Sequence, residues 1–505
     1  MAGGGKRKTH WAVRRKTKKA RGHEDAPPKK NEFVDRRAGF PEEIHPGSYA
    51  AQRKKDKGEA ALATETATEE AKALPSKRRY GMWVAFCGKK YSGMQMNEGV
   101  ATIEAELERG LFEAGGITEN NYGFLQKIGW SRAGRTDKGV HAAGQMVTAK
   151  LHVGDDVEGF MAKTNSHLPE DIRIMDMVTT TKNFNAKMSC DKRTYEYLAP
   201  TFIFAPRDAQ GTDAAGLNKE WSLDMLDRDG DNVDEENAVV VDTSTLAKQR
   251  SYRMSDETYN RLLRVLKEYE GTHNFHNFTS KLEPTSPKCQ RYIMSFAADK
   301  PFVENDMEWI RLRVLGQSFL LHHIRKMIGT AVEVVAGITP IETISKAMEL
   351  DKMDLPKAPS VGLYLAQAHF DIYNSKLQDS VQVSHPPLDF TKDERVCEKV
   401  EQFKKDYIFK HIIEHENKTR TYAKWIKLLG ALPFDYVSRP LAQWKKEKEE
   451  LSRIQNRRKR LEAEKAMRKR QAEGGEAVIE SEETTETAEQ DAQDEAKVES
   501  DADSE

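Results

Sequence analysis

The chain has 505 residues, of which 38% are hydrophobic and 32% charged, with four cysteines and a formal net charge of −1. No apolar run approaches the roughly 20 residues that cross a bilayer, and the N-terminus lacks the apolar core of a secretory signal. Cys87, Cys190, Cys289 and Cys397 lie far apart with no Cys-x-x-Cys, so the composition excludes a zinc module and a disulfide scaffold and fits a soluble protein of a reducing compartment.

The balanced charge conceals a polarised molecule. Lys6, Arg7, Lys8, Arg14, Arg15, Lys16, Lys18, Lys19 and Arg21 crowd one end, and residues 476–505 are dominated by Asp and Glu. Residues 1–77 are poor in aromatic and branched side chains and read as a disordered basic arm, its Lys6 to Arg21 cluster suited to nuclear import or nucleic-acid contact. Folded structure is expected from residue 78. Residues 80–87 read as a strand that breaks at Gly88. Val100, Ile103, Leu107 and Leu111 share one helical face, which Gly115 and Gly116 close. Further strands are expected at 147–153, 172–178 and 193–198.

A polar stretch at about 205–249, acidic around Asp227, Asp229 and Asp231, reads as a surface insertion. Ser255 is placed to cap a helix whose apolar face is Tyr259, Leu262, Leu263, Leu266 and Tyr269, ending at Gly271. A strand at 309–314 precedes a helix at about 318–336. Beyond lie an extension (376–438), a long charged helix (439–470) and a disordered acidic tail (471–505). Strands and helices are thus interleaved.

Gly129-Trp130-Ser131-Arg132-Ala133-Gly134-Arg135-Thr136 approaches the phosphate-binding pattern G-x-x-x-x-G-K-[ST], and residues 238–242 could supply a strand ending in an Mg²⁺-holding Asp. Two features oppose a P-loop NTPase. Arg135 replaces the compact lysine charge, and the alternation of residues 146–151 argues for a loop running into a strand where a P-loop opens a helix. A noncatalytic RNA-binding protein is the other alternative.

Continued to Asp137-Lys138-Gly139-Val140-His141-Ala142, the same stretch resembles the active-site motif of the TruA-type pseudouridine synthase family. Other segments match in the family's order: Phe86-Cys87-Gly88-Lys89-Lys90-Tyr91-Ser92-Gly93, Phe184-Asn185-Ala186-Lys187, Arg193-Thr194-Tyr195-Glu196-Tyr197, Phe319-Leu320-Leu321-His322-His323-Ile324-Arg325-Lys326-Met327, and Ala358-Pro359-Ser360-Val361-Gly362-Leu363-Tyr364-Leu365. The resemblance leaves out residues 1–77 and most of the chain after 376. It implies an α+β core of two domains, 78–186 and 187–375, each with a mainly antiparallel sheet and helices on one side. The basic arm, insertion and extension suggest the eukaryotic nuclear branch, which acts on tRNA, including the anticodon stem-loop, and on some small nuclear and messenger RNAs.

The resemblance also implies roles. Asp137 is the nucleophile, able to add to C1′ of the sugar or to assist glycal formation, in a reaction that needs neither metal nor cofactor. Arg325 is its buried ion-pair partner, and Tyr195 stacks on the uracil and helps remove the C5 proton. The target base must be flipped, with Arg135 filling its place, while Arg132, Lys138, Lys89, Lys90 and the 441–470 helix are candidates for RNA phosphates. His141, His322 and His323 are expected to be structural. The partners implied are RNA and nuclear import machinery, with no membrane and a monomeric chain.

Overall fold

The computed structural model describes residues 74–97, 99–207, 243–280, 282–378 and 385–431, together with 440, 443, 446, 453 and 457. The basic arm up to residue 73, most of the acidic insertion, the strand at 238–242, most of the charged helix and the acidic tail lie outside the described residues.

Strands β1 (Arg78–Phe86), β2 (Ser131–Arg132), β3 (His141–Leu151), β4 (Ile172–Thr179), β5 (Lys192–Pro200), β6 (Gly271–Asn274), β7 (Gln290–Ala298), β8 (Phe302–Glu304), β9 (Met307–Gly316) and β10 (Leu363–His369) join one sheet. Its order is β4-β1-β3-β10-β5-β9-β7-β6, with β2 added to β3 and β8 to β9. The two expected sheets are therefore continuous. Among the described residues every pairing is antiparallel except that of β10 with β3, where Tyr364 lies opposite His141 and Leu365 opposite Ala142. That parallel seam joins the halves. It is tight enough to demand glycine at 144, where an added Cβ would lie 2.4 Å from the Ala366 carbonyl oxygen.

Helices α1 (Ile103–Glu113) and α2 (Val157–His167) cover one face of the N-terminal half. Thr102 starts α1 by accepting the Ala105 N–H, so Val100 precedes the helix and stays 43% exposed. Tyr80, Met82, Val84 and Phe86 of β1 bury against Ile103, Leu107 and Leu111, each such side chain contributing about 1.5–3 kcal/mol of transfer free energy. The second half carries α3 (Thr243–Ser251), α4 (Asp256–Lys267), α5 (His323–Val335) and α6 (Asp371–Gln378). Ser255 caps α4 as its position suggested, accepting the Thr258 N–H. The helix expected from 318 begins at His323, because His322 turns into the left-handed region at φ 61°.

Helices also cover the reverse face, contrary to the expectation of helices on one side. Alternate β1 residues Trp83 and Ala85 face a second core, in which Trp83 meets Phe390 edge-on at 5.0 Å between ring centres. That core is completed by α7 (Glu394–Phe403), a π-helical turn (Lys404–Phe409), α8 (Lys410–Thr419) and α9 (Thr421–Ala431). Val396, Val400 and Phe403 recur at helical spacing and bury together, so this part of the extension belongs to the folded core.

Candidate active site

The motif loop leaves β2 at Arg132 and enters β3 at His141, so it runs from strand to strand. The helix N-terminus that a phosphate-binding loop requires is not there, and the NTPase reading falls. The loop is fastened at nearly every residue. Ala133 N–H donates to Met146 O (2.9 Å), and Arg193 Nη2 donates to Ala133 O (2.6 Å). Gln145, fully buried in β3, accepts the Gly134 N–H through Oε1 (3.2 Å) and returns Nε2 to the Gly134 carbonyl (3.0 Å). Thr136 O accepts the Met94 N–H (3.1 Å), Gly139 N–H donates to Tyr91 O (3.3 Å), and His141 Nδ1 accepts the Gly88 N–H (2.9 Å). Gly93, at φ +90°, lets its strand-end loop pass where an added Cβ would sit 2.8 Å from Thr136 O.

This scaffold fixes the backbone of Asp137 and turns its side chain outward. Asp137 is exposed and enters no ion pair among the described residues. Arg325, by contrast, is 7% exposed on α5, where its Nε donates to the Ala358 carbonyl just before β10 (2.7 Å). The expected buried contact between the two is thus not made in this arrangement. The physical reason is local: the Asp137 carbonyl closes a turn to Val140 N–H (3.2 Å), and that turn presents the side chain to the outside.

Tyr195 lies across a groove of about 760 Å³ whose walls include Arg132, Ala133, Gly134, Arg135, Arg193 and Phe319. Its ring meets Phe319 edge-on at 5.2 Å. Burial pushes the phenol up, Arg193 opposes, and the Asp137 carboxylate adds to the rise, so Asp137 and Tyr195 are within electrostatic reach of each other. The phenol is accordingly neutral at neutral pH. Arg135 is exposed on the groove wall, and Lys138 and Lys89 are exposed beside it in sequence and across the Gly88 contact. Lys90 is exposed too but sits 3.2 Å from Asp171. Arg132 is committed elsewhere: it pairs with Glu104 of α1, whose carboxylate is 1% exposed and also accepts Trp130 Nε1–H (2.6 Å). It braces the loop against α1.

The histidines behave structurally. His141 is pushed down to about 3 by burial, then by His411 and His415, and His323 falls to about 3 by burial and then Arg291. Neither carries a proton at neutral pH. A larger cleft of about 980 Å³ mixes Glu170, Glu304, Glu401 and Glu414 with Lys300 and Lys410 and contains none of the motif residues.

Sequence reading overlooked the residues that hold the loop. Gln145 and Glu104 carry no chemistry of their own, and only the strand alternation, which puts a polar Gln145 beside buried Met146, hinted at one of them; Arg193 stands in a segment that matches the family, with no role assigned to it. Glu196, between Tyr195 and Tyr197, is another. Burial opposes its ionisation, yet Lys404, Arg311, the Tyr364 hydroxyl and Arg313 hold it down to about 2.

The motif loop enters β3 and Tyr195 stands on β5, the two strands that flank β10 at the joint of the continuous sheet. A family model described as tRNA pseudouridine synthase matches residues 265–371. The chain is 38% identical over 364 residues to Pseudouridylate synthase 1 homolog of Mus musculus, an alignment covering 72% of this chain and 75% of that one. It is 33% identical over 411 residues to tRNA pseudouridine synthase 1 of Kluyveromyces lactis, covering 72% of each. The chain belongs to the TruA-type tRNA pseudouridine synthase family, and is an intramolecular isomerase that turns uridine into pseudouridine.

Proposed function

We propose that the substrate is tRNA, with anticodon stem-loop uridines among the targets and small nuclear and messenger RNAs as further substrates. The relatives named for tRNA support the first part. The observation that supports the mechanism is that Tyr195 lines one groove with Ala133, Gly134 and Arg135 of the loop that carries Asp137. The target nucleotide flips into that groove, and Arg135 takes the vacated space in the RNA. Asp137 adds to C1′ or assists glycal formation as the C1′–N1 bond breaks. The uracil turns, C1′–C5 forms, the C5 proton departs and N1 gains one, so composition is unchanged. Tyr195, held neutral, stacks on the base. Arg325 pairs with Asp137 once the loop closes on RNA, supplying the cation that a carboxylate withdrawn from water requires.

The test is tritium release from tRNA carrying 5-tritiated uridine. Asp137→Asn brings release below detection while tRNA affinity stays within about twofold, because phosphate contacts supply most of the binding. Turnover by that variant removes Asp137 from the chemistry. The Lys6 to Arg21 cluster is read as a nuclear-import signal; neutralising it shifts the protein to the cytoplasm, and unchanged nuclear location refutes that reading.

A further inference from the structure

Beside the groove that holds Tyr195 lies a second one of about 580 Å³, and the two share Met188, Ser318 and Arg193 as common walls. They are continuous. The second groove runs from the turn after the Phe184-Asn185-Ala186-Lys187 segment to β7 and α6. Two of its walls carry large apolar side chains left in solvent: Met188 is 79% exposed and Ile372, on α6, 60%. An exposed methionine beside an active site is costly unless something covers it, and its thioether packs well on a π-face.

The polar lining has a definite sign. Arg193, Arg291 and Lys376 face Asp191, whose Oδ2 already accepts the Ile372 N–H (2.8 Å). Arg291 donates Nη1 to the Gln290 carbonyl (2.7 Å), but its Nε is buried without a hydrogen-bond partner. Gln290 and Gln317 add amides that can both donate and accept at a base edge. Apolar walls, surplus cations and side-chain amides in a slot that shares three walls with the Tyr195 groove make a nucleotide-sized receptacle.

We propose that this groove is a subsite for a nucleotide flanking the target uridine in the same RNA strand, its base held between Met188 and Ile372 and its phosphate by Arg291 and Lys376. The inference rests on the reading of the Tyr195 groove as the seat of the target. It makes Met188 and Ile372 determinants of which uridines are chosen. When the target leaves its stack, a neighbour loses a stacking partner, and the slot replaces it.

The experiment uses the full chain and an unmodified tRNA transcript in which one uridine converted by the wild-type protein has been mapped. Transcripts with an abasic nucleotide immediately 5′ or 3′ of that uridine are compared in single-turnover assays at subsaturating protein. For the wild type, one of the two abasic substrates reacts about tenfold more slowly, the scale of one lost base–aromatic-type stack. For Ile372→Ser and Met188→Ala the intact transcript falls toward that rate, and the abasic penalty shrinks to about twofold or less on the same scale. Arg291→Gln lowers the slope of log affinity against log salt by about one. Unchanged abasic penalties in both stacking variants, or no abasic penalty in the wild type, overturn the subsite. Failure of the wild type to form pseudouridine in any transcript overturns the functional reading instead, so the two failures are distinct.

Discussion

Gln145 offers the sharpest test of how the loop is aimed. Its amide meets both the N–H and the carbonyl of Gly134 from a position with no solvent exposure, acting as an extra strand partner three residues before Asp137. Gln145→Leu keeps the volume and removes both bonds. Leaving a buried donor or acceptor unmatched costs about 1–3 kcal/mol each; Gly134 is only half-buried, so about 2 kcal/mol in total is the reasonable sum after the leucine's own burial offsets part. A loss of that size lowers the melting temperature by a few degrees at most, since a domain of about 150–250 residues shifts about 2–4 °C per kcal/mol and this core is larger. The catalytic cost is expected to be greater. A displacement of about 1 Å at a reacting group costs about a hundredfold in rate. The assay is single-turnover tritium release with tRNA affinity and thermal melting measured in parallel. The expected pattern is a rate about a hundredfold lower with affinity within about twofold. A variant whose melting point drops while its single-turnover rate stays within about twofold of wild type would show that Gln145 only stabilises the fold.

Arg325→Lys keeps the charge but gives up the Nε bond to Ala358 and the two-pronged grip on a carboxylate, so kcat is expected to fall at least about tenfold in a folded protein that still binds tRNA. Wild-type single-turnover rates would leave Arg325 a packing residue of α5. Glu416 is fully buried near the end of α8, its carboxylate accepting N–H groups from the start of α9, and burial raises it to about 7 against the opposing N–H of Tyr422. A raised carboxyl favours folding fully below its unfolded value of 4.5, and that contribution is lost as pH climbs through about 7, a loss of about 3 kcal/mol. Glu416→Gln should match the wild type in thermal unfolding at pH 5 and exceed it at pH 8; an equal gap at both pH values would contradict the assignment.

Much of the fold was legible because its core strands and helices obey their own periods. The strands at 78–86, 172–179, 192–200 and 307–316 and the helix at 256–267 answer to alternation, a serine cap and an apolar stripe. The β6–β7 hairpin was not seen, since β7 buries only every third or second residue and exposes Gln290 and Ser295. The run of the loop from one strand to another was legible from the alternation of 146–151. The site was illegible where the partner is distant: Glu104 is 28 residues from Arg132, and nothing in either segment announces the other. The outward Asp137 was missed for the same reason, because the turn to Val140 and the Met94 contact set its direction.

The C-terminal extension shows most clearly why position in the chain is a poor guide to function. Glu196 sits between Tyr195 and Tyr197 with 3% exposure, on the sheet face opposite the groove. Alone there, its charge would be costly and would favour protonation or a shift of the strand. The π-helical turn after α7 supplies Lys404, itself 5% exposed, at 3.3 Å from the carboxylate, while Arg313 Nε approaches to 2.9 Å from β9. A second fastening follows at α9, where the Tyr422 hydroxyl donates to the Leu198 carbonyl (2.7 Å). Both contacts land on β5, the strand that carries Tyr195. The extra turn residue of a π-helix is what brings Lys404 inward while the flanking helices continue, a use of that geometry seen at functional sites generally. The helices from 394 to 431 therefore add the buried Lys404 to the Arg311 and Arg313 guanidinium groups that balance Glu196 from β9, and so complete the charge balance of the strand that carries Tyr195.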